Sequence, residues 1–531
     1  MCHADAGTRR RALVLAAVGA ALALRALELR LPAMTRPFWE DEVHHNDSIL
    51  GSRSLLDLRE HVGPQNQPLL EYALRKLVWF RLFGHQERAL RLPNLVASVC
   101  TPLAAFLLAF RLLERAGEPP LAALLGASLA GLWLTGQPAE VYLGAEARHY
   151  SLVSLFSVLW CSLLVFGGGV GRLPFLAASL AFANTHFFAV PLGLAGLGLR
   201  ALSASRPRHL QVAIWCAVDM LALVFLTRAV NAPAWFWLTH LTPGGHSLRL
   251  AEGMTGGLMV WRDYGAYLGF PVAAAVLWLG LAATGVRDRA ARTTAFLGLI
   301  FLPACFVAMR MRSTYPFGDR YFTPFLGLGF VTLLLAFRHG RAAALRISRG
   351  ALNGRAAAGL ATVALLAGFG APGHLAALVP DALALRPVPR NFSPYFRIAG
   401  ELKARGAPLL VIHNHCWADD IYRMYLTRIG RPFRGDFTVT DSLDCLTPGP
   451  QVRELLGRTL ADSPRTLIIL ADLERAWPTG PTRPRGPWRA SVRRVDEPVS
   501  AWIIRGARDV SEVRQIARAV GYTSIEHLFI K

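Results

Sequence analysis

Charged side chains are scarce in this sequence. Only 17% of its 531 residues are Asp, Glu, Lys or Arg, and 53% are hydrophobic, whereas a soluble domain usually carries about 25% charged residues. The mean hydropathy of +0.35 points the same way. The composition excludes a string of ordinary soluble domains and predicts a membrane bundle with one soluble unit.

The sequence also lacks the marks of several other classes. None of its seven cysteines forms a Cys-x-x-Cys pair, which argues against a metal or redox site of that kind. No small-residue cleavage site follows the first apolar segment, so we expect a retained helix and not a signal peptide. No internal repeat is visible, although repeated halves are typical of transporters.

Positive charge is abundant, because the net charge is +22 and comes almost entirely from arginine. The arginines mostly separate apolar segments, as positive-inside topology and anionic lipid headgroups require, so we do not expect nucleic-acid binding. The rule places the N-terminus in the cytoplasm and most acidic residues outside. The predicted external segments are 32–91, 138–148, 230–266, 310–320 and everything after about 372.

Eleven apolar segments have about the length of a membrane-spanning helix. The two segments around Asn184 and His186 are short and could form one broken helix or a tight hairpin. The predicted spans are 12–31, 92–112, 119–137, 149–168, 172–185, 187–203, 211–229, 267–285, 293–309, 321–337 and 356–372.

The organisation predicted from these segments has two parts. Residues 1–372 form a polytopic α-helical membrane domain with a long first external loop, 32–91. Residues 373–531 form a soluble extracytoplasmic α/β domain, because strands alternate with helices there. We predict strands at 409–412, 466–470 and 501–504, and helices at 419–428 and 452–460. Cys416 and Cys445 would lie in an oxidising compartment and could pair.

Acidic and histidine residues gather in the first external loop. Glu40, Asp41 and Glu42 are consecutive, and charge alone fits a solvated acidic turn. Glu42 and His45 are three residues apart, as metal ligands on one helical turn can be. No cofactor is firmly implied, but a divalent cation stays open, with His240 and His246 as further candidates.

Further polar residues lie at predicted span ends. Glu146, Arg148 and Tyr150 precede or open the fourth span, and Arg320 and Tyr321 open a late one. Such residues fit ion pairs or interfacial anchors as well as ligand contacts. His186, in the interrupted region, could face a cavity or be a buried hydrogen-bonded histidine, and Asp219 lies in the middle of a span, where an acid suggests function.

Several short motifs, taken in order, resemble the GT-C class of membrane glycosyltransferases. The bacterial relatives are proteins similar to dolichyl-phosphate-mannose protein mannosyltransferases and the lipid A aminoarabinose transferase. The resemblance covers roughly residues 10–340. It rests on Trp39-Glu40-Asp41-Glu42, Gln67-Pro68-Leu69-Leu70-Glu71-Tyr72, Glu87-Arg88-Ala89-Leu90-Arg91-Leu92-Pro93, Glu146-Ala147-Arg148-His149-Tyr150-Ser151-Leu152 and Arg320-Tyr321-Phe322.

The resemblance implies a transferase of the bacterial inner membrane. The donor would be a hexose or pentose on a polyprenyl phosphate, and the acceptor hydroxyl would belong to a lipid, a glycan or a protein. Asp41 would be the general base, oriented by Glu42, in an inverting displacement. Arg148 and Arg320 would hold the donor phosphate, with Glu146 near the sugar or acceptor. Tyr150, Tyr321 and His186 complete the predicted substrate-binding set.

Two other functions stay open on the sequence. A transporter or flippase of lipid-linked sugars would use Asp219 in a proton relay, but it does not require a long acidic first loop. A membrane scaffold with a partner-binding tail would leave the ordered motifs unexplained.

Overall fold

The chain is mostly helical in the computed structural model. The residues that the structure describes are 6–35, 40–62, 68–84, 87–144, 146–167, 170–202, 209–233, 260, 264, 267–268, 273–284, 288–310, 319–348, 353–369, 409–413, 437–441, 449–463, 465–472, 491–495 and 500–520.

Helices occupy most of the described residues before 370. They are α1 (Ala6–Arg30), α2 (Glu40–Gly51), α3 (Leu55–Val62), α4 (Leu69–Leu74), α5 (Phe80–Phe83), α6 (Glu87–Arg115), α7 (Pro120–Gly136), α8 (Pro138–Leu143), α9 (Tyr150–Phe166), α10 (Arg172–Ala183), α11 (Ala189–Leu202), α12 (His209–Val230), α13 (Ala273–Thr284), α14 (Arg289–Phe296), α15 (Leu302–Arg310), α16 (Leu326–Ile347) and α17 (Gly354–Phe369). Single π-helical turns, Arg75–Trp79 and Leu297–Phe301, join α4 to α5 and α14 to α15, and 3-10 helices cover Leu31–Thr35 and Asp319–Phe325.

Each of the eleven predicted spans overlaps helical residues of the described chain. By length and composition, five helical segments of that part are long and apolar enough to cross a membrane: Thr8–Arg30, Arg88–Arg115, Leu210–Val230, Arg289–Val307 and Tyr321–Ile347. The apolar helices α7, α9, α10 and α11 are shorter. The chain is therefore a helical membrane protein, while the number of eleven spans and the orientation of its termini stay predictions.

The chain divides into two compact units. The first comprises residues 1–34, 52–79 and 91–386, and the second comprises 35–51, 80–90 and 387–531. Two parts of the predicted first external loop thus belong to the second unit, whereas 52–79 belongs to the first. The predicted boundary at residue 372 stays a prediction.

Within the first unit, α9 and α16 cross in close contact. The Ser157 hydroxyl donates to the Pro324 carbonyl (2.7 Å) and accepts from the Gly327 amide (2.8 Å). A Cβ atom on Gly327 would lie 2.1 Å from the Ser157 carbonyl oxygen, so only glycine fits. This contact fixes the 3-10 helix Asp319–Phe325, which carries the predicted Arg320–Tyr321 motif, against α9.

The interruption around Asn184 is a hairpin. Ser179, one turn before the end of α10, lies beside Gly193, one turn after the start of α11. The two helices therefore fold back on each other, which resolves the two alternatives left by the sequence. Trp160 of α9 packs into the same region, with its indole nitrogen 2.9 Å from the Ser179 hydroxyl.

The second unit contains a five-stranded mixed sheet. The strands are β1 (Leu409–His413), β2 (Phe437–Asp441), β3 (Leu467–Asp472), β4 (Ser491–Val495) and β5 (Ser500–Arg505), with α18 (Gly449–Asp462) and α19 (Val510–Ala519) beside them. Their order is β2-β1-β3-β5-β4, with β1 parallel to β2 and β3, and β5 antiparallel to its neighbours.

One face of this sheet forms a hydrophobic core with the helices. Alternate residues such as Leu410 and Ile412 of β1 pack with Val452 and Leu456 of α18 and with Ile516 of α19. The predicted strands at 409–412, 466–470 and 501–504 and the helix at 452–460 are all observed. The predicted helix at 419–428 lies outside the described residues, and the extracytoplasmic position of this region stays a prediction.

Candidate active site

The Glu146–Arg148 motif lies in a turn between α8 and α9. The Glu146 amide donates to the Leu143 carbonyl (3.2 Å), and the Ser151 hydroxyl donates to the same oxygen (3.2 Å). Glu146 and Arg148 are only 6% and 7% exposed. These residues are therefore held in the interior of the first unit and do not project as surface anchors.

Asn94 of α6 fixes the backbone of this turn. Its side-chain nitrogen donates to the carbonyl oxygens of both Glu146 and Arg148. Its side-chain oxygen accepts from an Arg75 Nη (2.8 Å). Asn94 is 2% exposed, so these bonds form away from water, where an unmade hydrogen bond is costly.

Arg75 belongs to the helix that begins with α4, within the predicted first external loop. Its Nε donates to the Glu71 carboxylate one turn earlier, and both side chains are almost completely buried. Among residues 69–79 of this helix, the exposed side chains are apolar: Leu74, Leu77 and Val78. The charged pair therefore faces the interior, where Asn94 is a partner of Arg75.

Four predicted substrate-binding residues belong to one cationic and aromatic cluster. The Arg148 guanidinium lies 5.0 Å from the Tyr150 ring centroid. The Tyr150 and His186 centroids are 6.3 Å apart, and Phe188 bridges His186 (5.0 Å) to Tyr321 (5.8 Å). The structure thus brings together residues from three separate segments of the sequence.

Two histidines lie at the centre of this cluster. The rings of His149 and His186 are 5.5 Å apart, and both residues are buried. His186 Nδ1 accepts a hydrogen bond from the Phe188 amide (3.1 Å). A neutral imidazole has one donor and one acceptor nitrogen, so this bond places the proton of neutral His186 on Nε2.

Tyr72 adds a phenol to the surroundings of Arg148. Tyr72 is fully buried. Burial raises the pKa of Tyr72 well above its usual range, and the positive charge of Arg148 opposes the shift. The phenol therefore remains protonated at neutral pH as a hydrogen-bonding group near that cation.

Two asparagines connect α4 to the hairpin that carries His186. The Asn231 side-chain oxygen accepts from the Leu69 amide (2.7 Å), and its nitrogen donates to the Asn184 side-chain oxygen (2.8 Å). The Leu70 amide also donates to the Asn184 carbonyl (3.3 Å). These bonds hold the start of the Glu71–Arg75 helix beside the aromatic cluster.

A second buried polar group lies one helical turn further along α6. Arg30 donates to the Ser98 hydroxyl and to the Thr135 carbonyl (3.1 Å) at the end of α7. Glu140 of α8 accepts from the Tyr267 hydroxyl (3.0 Å), and burial raises the pKa of its carboxyl group. This group joins α1, α6, α7 and α8 around the turn that carries Arg148.

The predicted acidic motif opens α2 in the second unit. Glu40, Asp41 and Glu42 are the first three residues of the helix, where carboxylates stabilise the helix dipole. Glu42 and His45, one turn apart, are each 1% exposed. The structure describes Asp41 and Arg320 by their backbone only.

The described residues contain no group of three or more His, Cys, Asp or Glu side chains that could hold a metal ion. Glu42 and His45 supply two ligands, fewer than a protein zinc site normally has. His240, His246, Cys416 and Cys445 lie outside the described residues. A divalent cation and a disulfide therefore stay predictions.

The mid-span acid Asp219 is half of an ion pair. Its carboxylate binds the Arg172 guanidinium through three contacts of 2.7 to 3.0 Å. The same guanidinium lies 4.0 Å from the Trp215 ring centroid. Arg25 and Glu28 of α1, three residues apart, form another ion pair at 2.6 Å.

Sequence reasoning missed the hydrogen bonds by which three asparagines hold this site together. Asn94, Asn184 and Asn231 stand singly at the ends of apolar runs or within them, and no motif marks them. The one available signal is a polar amide where a lipid-facing side chain is expected, because such a residue is costly unless its hydrogen bonds are satisfied.

Comparisons with known proteins found similarity among solved structures only at low sequence identity. No family model matches the chain, and no curated protein matches it. The chain is similar to the crystal structure of ArnT from Cupriavidus metallidurans in the apo state, at 13% identity and a TM-score of 0.48, over 95% of this chain and 99% of that chain.

The protein of that structure belongs to the class that the sequence motifs resemble. At this identity and TM-score, no substrate and no residue role in this chain follows from the likeness.

Proposed function

We propose that the chain is a membrane glycosyltransferase that transfers a sugar from a polyprenyl-phosphate donor to an acceptor hydroxyl on the outer face of the membrane. The observation that carries the proposal is the cluster of Arg148, Tyr150, His186 and Tyr321 within the first unit. A buried cation beside aromatic rings suits a phosphate that bears a sugar, since guanidinium binds phosphate oxygens and rings offer apolar faces to a pyranose or furanose.

The reaction is a direct displacement at the anomeric carbon. The acceptor oxygen forms the new glycosidic bond as the bond to the phosphate oxygen breaks, with inversion, and the phosphate leaves with the electron pair. Asp41 takes the acceptor proton, and Glu42 orients it; these two roles rest on the resemblance alone. Arg148 and Arg320 stabilise the charge that grows on the departing phosphate. Glu146 lies on the same turn as Arg148 and serves the sugar or the acceptor.

The structure removes the main argument for the transporter alternative, which was an unpaired acid in the middle of a span. Asp219 was its candidate relay acid, but its carboxylate is bound by Nε and one Nη of the Arg172 guanidinium, which gives it a role as a structural partner in an ion pair. No other observation on the described residues favours proton-coupled transport.

The test is transfer by the purified protein. Synthetic polyprenyl-phosphate sugars are incubated with the protein and a cell-envelope acceptor extract, and both the glycosidic product and the released polyprenyl phosphate are measured. We expect the two to appear in equal amounts. Donor movement between leaflets without any glycosidic product would contradict the proposal and favour the flippase.

A further inference from the structure

We propose that Asn94 is a positioning residue for the donor phosphate. Its amide fixes the turn that carries Arg148, and the buried Glu71–Arg75 pair fixes the amide. The inference rests on the proposed role of Arg148 as a phosphate ligand. It assigns a function to three side chains that neither touch the reacting atoms in the mechanism above nor stand in the aromatic cluster.

The chemistry of its partners allows the Asn94 amide only one orientation. Arg75 has donors but no acceptor, so the Asn94 oxygen must face it at 2.8 Å. The carbonyls of Glu146 and Arg148 only accept, so the nitrogen must face them. A flipped amide would lose all three bonds, and for that reason the turn has one preferred position.

The bonds to Glu146 and Arg148 act on the backbone carbonyls and do not involve the Arg148 guanidinium. Residue 148 is followed at once by His149, whose carbonyl accepts from the Val153 amide (3.1 Å) at the start of α9. The backbone of Arg148 is thus held between α6 on one side and α9 on the other. A guanidinium with both backbone neighbours fixed loses less conformational entropy when it binds a phosphate.

The Glu71–Arg75 pair carries no net charge before the donor arrives. An unpaired Arg75 cation, buried near Arg148, would repel it and would be costly to desolvate. Glu71 cancels that charge one turn away on the same helix. Arg75 can then serve as a rigid donor to Asn94 without adding net positive charge beside Arg148.

A double-mutant cycle separates positioning from simple packing. We would measure the affinity of the purified full chain for undecaprenyl phosphate in wild type, Asn94→Ala, Arg148→Ala and the double variant. Coupled residues show interaction free energies that independent residues do not. We expect Asn94→Ala alone to weaken binding about tenfold, and to have almost no further effect once Arg148 is replaced by alanine.

Thr101→Val is the matched control, because Thr101 is a buried polar residue of the same helix that bonds only to the Ala97 carbonyl of its own helix (2.8 Å). It should bind undecaprenyl phosphate like wild type. If Asn94→Ala does not fold, Asn94→Ser, which keeps one donor, enters the same cycle, with a thermal melt for each variant.

An additive cycle, or an Asn94 variant that binds like Thr101→Val, would overturn the proposal. Binding of undecaprenyl phosphate needs no sugar transfer, so the two proposals fail separately. A protein that shows the coupling but transfers no sugar would reject the transferase and retain the role of Asn94. A protein that transfers sugar but shows an additive cycle would support the transferase and reject the role of Asn94.

Discussion

Two acid–arginine pairs in the first unit differ in what the arginine contacts besides its acid. The Arg172 guanidinium directs its Nε and one Nη to Asp219 and stacks on Trp215, so its described contacts stay within this group. Arg75 donates from its Nε to Glu71 and from one Nη to Asn94. Asn94 in turn donates to the carbonyl of Arg148. We call Arg172–Asp219 the closed pair, because it stabilises the fold locally. We call Glu71–Arg75 the open pair, because through Asn94 it sets the position of the Arg148 turn.

The largest loss of turnover is expected from a change at Asp41, which belongs to neither pair. It is the reference against which the smaller losses from changes in the two pairs are compared. Asp41→Asn is nearly isosteric but cannot accept the acceptor proton as a carboxylate can. We expect turnover to fall at least about a hundredfold, with insertion and donor binding unchanged, measured in the transfer assay beside a direct donor-binding measurement. Near-normal turnover would remove Asp41 from the role of base.

The next prediction tests the open pair against the closed one. Replacing both partners of a buried ion pair by apolar residues avoids leaving a lone buried charge and is often nearly neutral for stability. Glu71→Leu with Arg75→Met should therefore fold but bind undecaprenyl phosphate about tenfold more weakly.

Arg172→Met with Asp219→Leu is the matched control, and it should bind undecaprenyl phosphate like wild type. Equal losses in the two double variants would show that the comparison has no functional meaning. Thermal melts of both variants report whether either loss comes from unfolding.

A smaller and more selective effect is expected at the arginines themselves. Arg148→Lys keeps the charge but loses the two-pronged guanidinium. Since the phosphate gains charge as it leaves, we expect turnover to fall by about tenfold and donor affinity by less. Arg320→Lys should behave alike. Normal turnover in both variants would show that neither guanidinium acts on the departing phosphate and would place the phosphate elsewhere.

The smallest effect concerns Glu140, in the other buried polar group on α6. Burial raises its pKa in the folded chain, so the folded state favours the protonated carboxyl. The resulting stability is present below the unfolded pKa of about 4.3 and is lost as pH rises through the folded pKa.

Glu140→Gln keeps the neutral form at every pH. Relative to this variant, the melting temperature of wild type should fall by about 1–2 °C between pH 4 and pH 8. Parallel melting curves over that range would mean that the fold tolerates the charged carboxylate equally well.

The regular helices and strands of the fold could be predicted from the sequence. Long apolar runs show which segments become helices, and alternation around Leu410 and Ile412 marks a buried strand. The hairpin at Asn184 stayed ambiguous, because run length does not say whether two short helices continue or fold back. The close contact between Gly327 and the backbone of Ser157 fixes the position of the Arg320–Tyr321 motif. The local sequence around Gly327 does not predict this contact.

The motif residues of the candidate site could be named in advance, but their supports could not. Arg148 and His186 stand in recognisable contexts, whereas Asn94 is a single amide whose meaning depends on Arg75, nineteen residues away. The orientation of the Glu71–Arg75 helix also escaped prediction, because two charges at helical spacing look the same whether they face water or a buried partner.

The bond between Asn231 and Leu69 has a consequence for the biogenesis of the chain. Its two residues are separated by 162 positions. At a synthesis rate of about 5–20 residues per second, the Leu69 segment emerges on the order of ten seconds or more before its partner exists. The N-terminal end of the helix that carries Glu71 and Arg75 therefore lacks its bond to Asn231 until α12 has been made, although Arg75 can bind Asn94 much earlier in synthesis. The contacts of this helix can thus form in stages, first with Asn94, then with Asn184 and last with Asn231.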